Sequence, residues 1–579
     1  MRPLCARLTP AGWVREEPWP GGDRPAAVAF DGRFQVGFDG RLDNREQIWR
    51  RVADGPPPAS DAEVVLASWR RLGTQAPENW EGPFAVVVLE RASGEAWLAR
   101  DPIGTRGLTY GRAADGQDGW LAASFPHWVA RQLGADLDLH RLASFVALRD
   151  GPPGRSFFEG VREVLPGQTV ALRPGRDPQS SWHPLEARGA RLHGTGHPEE
   201  VARTFRDLAD QACRRAVSET GRGLALLFSG GLDSTTLATS LSAIDRRPLA
   251  LISWTFDSFA DERLEQEAAA RELGLRWQPL RLDDAVPLRD LDDWPIHPST
   301  PEQTAFRLLH EAGCLRAREL GADALAWGYG GDALFGGAAG MARALVRRGA
   351  PAAATLTFIR TSRALGLRST LRQNLPPAWL RTWQACRPPS WLTPEAAVLL
   401  AEPSAWPPAQ AATDLPRRWR GLVAMNSMEG DAHEAWFAAR HGLTFPAPLR
   451  DRDLVRWALD QAPLKSLDER RLAQRQALDG RIAEPIRARP PSRPVKGTLE
   501  PLLRAMFRHP GSRANAHALI ADGTCWPRLV RRGVVEDIWR RGAPESQEFQ
   551  ILWAVLSLEI WCQRRPWAGS HPDERPLAP

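Results

Sequence analysis

Residues 224–244, LALLFSGGLDSTTLATSLSAI, concentrate groups that can handle phosphate. Ser229, Ser234 and Thr235 supply hydroxyl donors, and Gly230 and Gly231 let backbone N–H groups approach phosphate oxygens without an intervening Cβ. The five apolar residues from Leu224 to Phe228 predict a strand buried on both faces. Ser229–Gly231 then predicts a turn. Directly after Leu232, a helix is expected to open with Asp233, Ser234, Thr235 and Thr236, with Leu237, Leu241 and Ile244 at helical spacing. A strand, glycine turn and helix start in succession form an anion site, where unpaired N–H groups meet the positive end of the helix. Asp233 is a poor phosphate ligand by itself and suits one only through a metal ion.

A second stretch repeats the arrangement. In ADALAWGYGGDALFGG, residues 322–337, apolar residues lead to Gly328, Tyr329, Gly330, Gly331 and Asp332. As a dinucleotide fingerprint it fails, since its GxG is followed by glycine, aspartate and alanine. As a partner of the first loop it makes sense: Asp233 and Asp332 would hold Mg²⁺ on the phosphates of ATP from two sides. A Walker-type loop is excluded, because it needs a lysine after its last glycine. The chain has only Lys465 and Lys496, neither after a glycine.

The elements that must position these loops follow from pattern. PLALISWTFD and LRWQPLRL predict two further strands, with the helix SFADERLEQEAAARELG between them carrying Asp261 and Glu262 in its first turn. Strands alternating with such helices predict a doubly wound parallel sheet whose ligand crevice lies at the strand carboxyl ends. Residues 1–190 read differently, as short strands and turns with few helices. Among these are VAFDGRFQVGFDGRLDNREQI with its DG and NR turns, the helix SDAEVVLASWRRLG capped by Ser60 or Asp61, and the helical DLHRLASFVALRD. PGRDPQSSWHPLEARGARLHGTGHPEE, residues 174–200, predicts a linker, so domains of 1–190 and 197–579 are expected. The chain ends in a mostly helical tail.

Composition narrows the class. At 579 residues the chain exceeds one ordinary core. No apolar run approaches the roughly 20 residues of a membrane span, and the start, MRPLCARLTPAGW, lacks an apolar signal core; a cytoplasmic protein without a membrane partner is expected. The six cysteines are scattered without a CxxC pair, which points to structural thiols. The net charge of +6 is spread through mixed-sign helices, so no nucleic-acid partner is expected. Against 25 Trp and 19 Phe the chain keeps two tyrosines, Tyr110 and Tyr329, which singles out Tyr329 beside the second glycine turn.

SGGLDS resembles the pyrophosphate loop (PP-loop) of ATP pyrophosphatases, which transfer AMP to a substrate and release pyrophosphate whole. The resemblance extends along nearly the whole chain to the asparagine synthetase-like family. GRLDNR sits where that family has GEIYNHR, and LARDPIGTRGLTY where it has LARDPLGIRPLYY. LTFPAPLRDRDLV resembles its LEARVPFLDHRLV, and the segment from Leu464 to Gly497 resembles its lysine and arginine stretch. The resemblance implies an α/β fold: an N-terminal glutaminase-like α+β sandwich of the Ntn type and a C-terminal parallel-sheet PP-loop domain. The family's glutaminase nucleophile, a cysteine next to the initiator methionine, is replaced by Arg2. Cys5 lies inside the chain, the RGPD and HRRLAI stretches are missing, and a domain that no longer hydrolyses glutamine is expected.

Three positions sort the branches. Tyr329 stands at the glutamate of the GEGSDE loop, as in β-lactam synthetases and many lasso peptide cyclases, Thr444 stands at the glutamate of LEARVPF, and the terminal cysteine is absent. By resemblance, Lys496 would reach the phosphate and oxyanion charges and Tyr329 would take or relay the proton of an attacking amine. Glu429 or Glu434 would replace the missing glutamate beside Tyr329. The implied activity is that of a lasso peptide cyclase with ATP and Mg²⁺, a core peptide substrate, a leader peptidase and a leader-binding protein. β-Lactam synthetase chemistry is the alternative.

Overall fold

A computed structural model describes residues 4–9, 12–14, 27–113, 119–149, 151–183, 185, 198–331 with short breaks, 334, 346, 351–365, 367, 388–400, 430–460, 472–487, 499–542 and 546–564. The N-terminal strands and helices run in this order: β1 Cys5–Thr9, β2 Gly12–Val14, β3 Ala27–Phe30, β4 Phe34–Gly40, α1 Arg45–Val52, α2 Asp61–Leu72, β5 Phe84–Glu90, β6 Ala96–Arg100, β7 Thr109–Arg112, β8 Trp120–Ala123, α3 Pro126–Leu133, α4 Leu139–Val146, β9 Arg162–Glu163, β10 Gln168–Leu172 and β11 Gln179–Trp182. They form two antiparallel sheets, ordered β2-β1-β8-β7-β9 and β11-β10-β6-β5-β4-β3.

Period-two alternation explains how the layers stack. In β5, Ala85, Val87 and Leu89 face Leu4, Ala6, Leu8 and Trp120 of the other sheet, making the sandwich core. Phe84, Val86 and Val88 point the other way, onto Val64, Val65 and Trp69 of α2. On the outer face of the five-stranded sheet, Leu121 and Ala123 meet α3, α4 and the C-terminal helices through Phe125, Trp128, Trp436, Trp553 and Trp561. The result is an α/β/β/α sandwich.

Two local expectations are corrected. Ser60 occupies the cap position of α2 but makes no side-chain capping bond, and Asp61 instead accepts the Leu42 N–H at 3.0 Å. The predicted linker at 174–200 contains β11, which pairs antiparallel with β10 from Gln168↔Trp182 to Ala171↔Gln179. Polar residues suit an edge strand with one solvated face, so the hydrophobic alternation that signals a strand was missing there.

Next to β11, His183 is buried, and its Nε2 lies 2.9 Å from the Arg100 carbonyl oxygen. Burial, reinforced by the positive charge of Arg452 and opposed by the Arg100 bond, pushes its pKa down to about 4. The unfolded chain therefore binds a proton from about pH 6.5 downward that the folded chain refuses until about pH 4. Stability is held above that window and falls within it. We expect a loss of about 2 kcal/mol at pH 5 relative to pH 7 that His183→Gln abolishes, read from denaturant midpoints at both pH values.

The C-terminal half contains α5 Pro198–Val217, β12 Leu224–Leu227, α6 Leu232–Ala243, β13 Ala250–Thr255, α7 Arg263–Glu272, β14 Trp277–Arg281, α8 Arg307–Glu319 and β15 Ala324–Ala326, followed by helices. Its sheet is parallel, ordered β14-β13-β12-β15. Leu224, Leu226 and Phe228 pack with α6 and α7 on one face, while Ala225 and Leu227 pack with Cys314 and Ala317 of α8 on the other. The sheet is therefore doubly wound. Because the chain builds outward from β12 to β14 and then returns to place β15 on the opposite side of β12, the topological switch point lies between β12 and β15. Among the described residues, no helix is long and apolar enough to cross a membrane. Glu262 is the residue before α7 and not within its first turn; Asp261 lies outside the described residues.

Candidate active site

Both glycine loops leave the sheet at this switch point, from the carboxyl ends of neighbouring strands. After β12, Gly230 takes φ +73°, a left-handed turn that favours glycine. Gly231 then caps α6. The Ser229 hydroxyl accepts the Gly231 N–H at 3.2 Å and lies 3.3 Å from the Ser234 hydroxyl, whose own oxygen is 3.1 Å from the Gly231 carbonyl. These bonds hold the turn open at the helix start. The Thr235 hydroxyl is buried there without a hydrogen-bond partner among the described residues.

After β15, Gly330 takes φ +91° and the Leu334 N–H bonds to its carbonyl at 3.0 Å, so this turn also opens a helical turn. The two loops meet at Asp233. A Cβ at Gly331 would fall 2.2 Å from the Asp233 carboxyl carbon, and one at Gly328 would fall 3.0 Å from the Asp233 Cβ. The absence of side chains on the second loop is what admits the aspartate of the first.

Two glutamines missed in the sequence complete the cradle. Gln474, fully buried on the helix Leu472–Ala477, donates Nε2–H to Asp233 Oδ1 at 2.7 Å. Gln266, buried on α7, closes the other side, its Cγ 3.3 Å from where a Cβ at Gly230 would sit. Neutral residues in charged helices carry no motif, although a glutamine on the buried face of such a helix is a usable signal. A hydrogen bond to a charged partner contributes about 1.5–3 kcal/mol. We therefore expect Gln474→Leu to slow pyrophosphate release about tenfold in an exchange assay, with the fold intact.

Asp233, one carboxylate at the meeting of two glycine turns, suits a bridge through Mg²⁺ to phosphate oxygens. Its expected partner Asp332 lies outside the described residues, as do Lys496 and Glu429. Among the described residues no group of three or more His, Cys, Asp or Glu side chains converges as a metal cluster.

Tyr329 stands at the mouth of the second loop, half-buried, its ring 5.4 Å from that of Trp327. Trp327 in turn contacts the His310 ring at 4.7 Å and the Phe445 ring at 6.0 Å. Glu434 lies behind this aromatic wall. Its carboxylate is 3.3 Å from His310 Nδ1 and takes two 3.4 Å bonds from the buried Arg307. Burial disfavours the charged form of Arg307, but Glu434 and Glu302 more than offset this and raise its pKa. Glu434 is thus linked toward Tyr329 through His310 and Trp327. Thr444 sits elsewhere: its N–H bonds to the Asp323 carbonyl and its own carbonyl accepts the Leu325 N–H, extending the sheet beside the start of β15. That is four residues before Gly328.

The two halves enclose a cavity of about 810 Å³, lined by Asp39, Arg41 and Asp101 from one and by Thr444, Phe445 and Arg450 from the other. Cys5 is not among its lining residues. It pairs with Ala123 inside the five-stranded sheet and packs against the cluster of Phe125 and Trp128.

An antiparallel double-sheet half is thus joined to a parallel-sheet half that carries the paired glycine loops. The sequence pattern of the glutamine amidotransferase domain matches residues 20–183, and that of asparagine synthase matches residues 204–563, more than half of the chain. The chain belongs to the asparagine synthase family.

Among characterised proteins it is similar to amidase chyE of Penicillium rubens, 25% identical over 306 residues, covering 48% of this chain and 43% of that protein. The asparagine synthetase (glutamine-hydrolyzing) of Mesocricetus auratus is 26% identical over 208 residues, 35% of each chain. Asparagine synthetase (glutamine-hydrolyzing) 1 of Bacillus subtilis is 26% identical over 118 residues, 20% of this chain and 18% of that one. The chain spans less than half the length of each of these relatives.

Proposed function

We propose that this protein is an ATP-dependent, AMP-forming amide ligase. In this reading it adenylates an Asp or Glu side chain of a leader-free core peptide and joins it to the peptide's own amino terminus, as a lasso peptide cyclase does. The observation that carries the reading is the meeting of the two glycine loops on Asp233 at the switch point of the sheet. A phosphate cradle of this form suits release of pyrophosphate as a unit.

A carboxylate is a poor acyl donor until its oxygen becomes part of a leaving group. Its oxygen attacks the α-phosphorus of ATP, pyrophosphate departs with the electrons of the broken P–O bond, and the carboxylate gains AMP. The amine then attacks the acyl carbon, AMP leaves with the acyl C–O electrons, and the amine gives up a proton. Mg²⁺ held by Asp233 and Asp332 would supply charge neutralisation for the departing pyrophosphate. Backbone N–H groups of the first loop and the hydroxyls of Ser229 and Ser234 orient the phosphates, Lys496 would add positive charge, and Tyr329 takes or relays the amine proton.

The choice of a peptide amine rests on Tyr329 and Thr444. A phenol is a weak base unless its proton has a partner, and Thr444, whose hydroxyl lies 3.3 Å from the Asp323 carbonyl, supplies no carboxylate. A peptide's terminal amine, with a pKa of about 8, is roughly one-tenth neutral at pH 7 and needs less help than an alkyl amine. This favours a peptide over the small β-amino acid of a β-lactam synthetase. A leader peptidase and a leader-binding protein belong to the same proposal as partners.

The test is incubation with ATP and either core peptides, bearing Asp or Glu several residues after the amino terminus, or small β-amino acids. Mass spectrometry should find a peptide product lighter by one water, with AMP and pyrophosphate in equal amounts. Water loss from the β-amino acid alone would transfer the assignment to β-lactam formation, and AMP without either product would overturn both.

A further inference from the structure

Arg450 departs from the family pattern it otherwise follows. In PLRD it stands where the resembling stretch, VPFLD, has leucine. Exchanging leucine for a guanidinium in the interior is unfavourable unless the charge finds partners there. The side chain is only 2% exposed, at the end of the short helix Pro448–Arg450.

Its contacts join the second glycine loop to the N-terminal half. The stem lies against the loop backbone, since a Cβ at Gly330 would come 2.9 Å from Arg450 Cγ. The guanidinium carbon is 5.6 Å from the centre of the Tyr329 ring, within the range of a cation–π contact. Nη2 donates to the carbonyl of Ile103 at 3.4 Å. Ile103 belongs to a stiff loop: the buried Asp101 carboxylate accepts the N–H groups of Ile103, Gly104 and Thr105 at 2.9, 2.8 and 3.0 Å. A buried cation thus spans from a braced N-terminal loop to the ring and backbone of the residue assigned the amine proton. Asp233 lies against Gly328 and Gly331 of this loop, and His310, beside Glu434, lies against Trp327.

We propose that Arg450 is a positioning residue for amide formation, fixing the Tyr329 ring against the N-terminal domain and favouring negative charge on its phenolic oxygen. The N-terminal domain then serves the synthetase site through Ile103, without any chemistry of its own. This rests on the role given to Tyr329 above.

The test uses the full chain, with Arg450→Leu, which restores the residue of the family pattern, and Arg450→Lys, which keeps the charge. ATP–pyrophosphate exchange and amide product are measured with the same peptide. In parallel, tetranitromethane, which attacks phenolate, is applied without substrate and nitration is located by mass spectrometry. Tyr110, whose pKa burial raises, is the internal reference and the chain's one other tyrosine.

Arg450→Leu should leave exchange within about threefold while product formation falls roughly ten- to thirtyfold, the scale of a desolvated cation–π contact. Arg450→Lys should recover part of the rate. Nitration of Tyr329 relative to Tyr110 should fall several-fold in Arg450→Leu. A merely structural role would depress exchange and product together and, by loosening the loop, raise Tyr329 nitration; that pattern, or unchanged nitration, overturns the inference. If Arg450→Leu does not fold, the nitration ratio of Arg450→Lys decides, and a rise overturns the inference. Should the unaltered protein give neither exchange nor product with any peptide, the proposed function fails, while nitration still decides the placement of Arg450.

Discussion

Replacing Asp233 with alanine is expected to reduce ATP-to-AMP conversion by about 10²- to 10³-fold, the usual cost of removing one electrostatic contact to the reacting charge. The protein should remain folded, because Asp233 is half-buried at a loop and its loss frees Gln474 without opening the Leu237 and Leu241 packing of α6. Gly331→Ala tests the same geometry from the other side. Its methyl group would occupy the space of the Asp233 carboxyl, 2.2 Å from Cγ, so one of the two loops must move. A loss comparable to that of Asp233→Ala is expected although every charged group is retained. Pyrophosphate release at the unaltered rate in either variant, with circular dichroism unchanged, would remove Asp233 from the phosphate site.

Tyr329→Phe is expected to separate the two half-reactions. Adenylation needs the phosphate cradle and not the phenol, so ATP–pyrophosphate exchange should persist within a few-fold. Amide formation should fall about 10²-fold, at the lower end of the range for general acid–base groups, because part of a terminal amine is already neutral. The loss should shrink as pH rises through about 8, where the neutral amine fraction grows. The ring itself is kept, so the 5.4 Å contact with Trp327 and the 5.6 Å contact with Arg450 remain available and the loop should not shift. Equal losses in exchange and product would assign Tyr329 a structural part only.

Much of the site's framework was legible in local pattern. The strand before SGGLDS and the turn at Gly230 appear where the residue types require them, and the helix opens at Leu232, one residue before the expected Asp233, because glycine's freedom and the burial of both strand faces are properties of a few neighbours. That both loops share one crevice was also legible, since strands alternating with helices leave little choice of sheet and ligand edge. Where pattern was weak the reading failed. The strand Gln179–Trp182 carries QSSW, whose polar residues resemble a linker until the exposed edge of a sheet is known. Asp332, Lys496 and Glu429 lie outside the described residues, as does most of the proline- and tryptophan-rich stretch 373–420. Trp391, in the described part of that stretch, donates to the Val146 carbonyl of the N-terminal half at 3.0 Å.

By itself the sequence determined the two halves, the parallel sheet and the two glycine turns. The turns depend on residues close along the chain, and the alternation of strands with helices sets the sheet even where it pairs Leu224 with Ala324. Only the tertiary structure decided what surrounds Asp233 and Tyr329. Gln474 reaches Asp233 from 241 residues away, and Arg450 joins Tyr329 to Ile103 across a separation of 347 residues. Glu434 is drawn to Arg307 across 127. Hydrogen bonds and charges act over a few ångströms in space whatever the distance along the chain, and no periodicity records which distant side chains will share a low-dielectric interior.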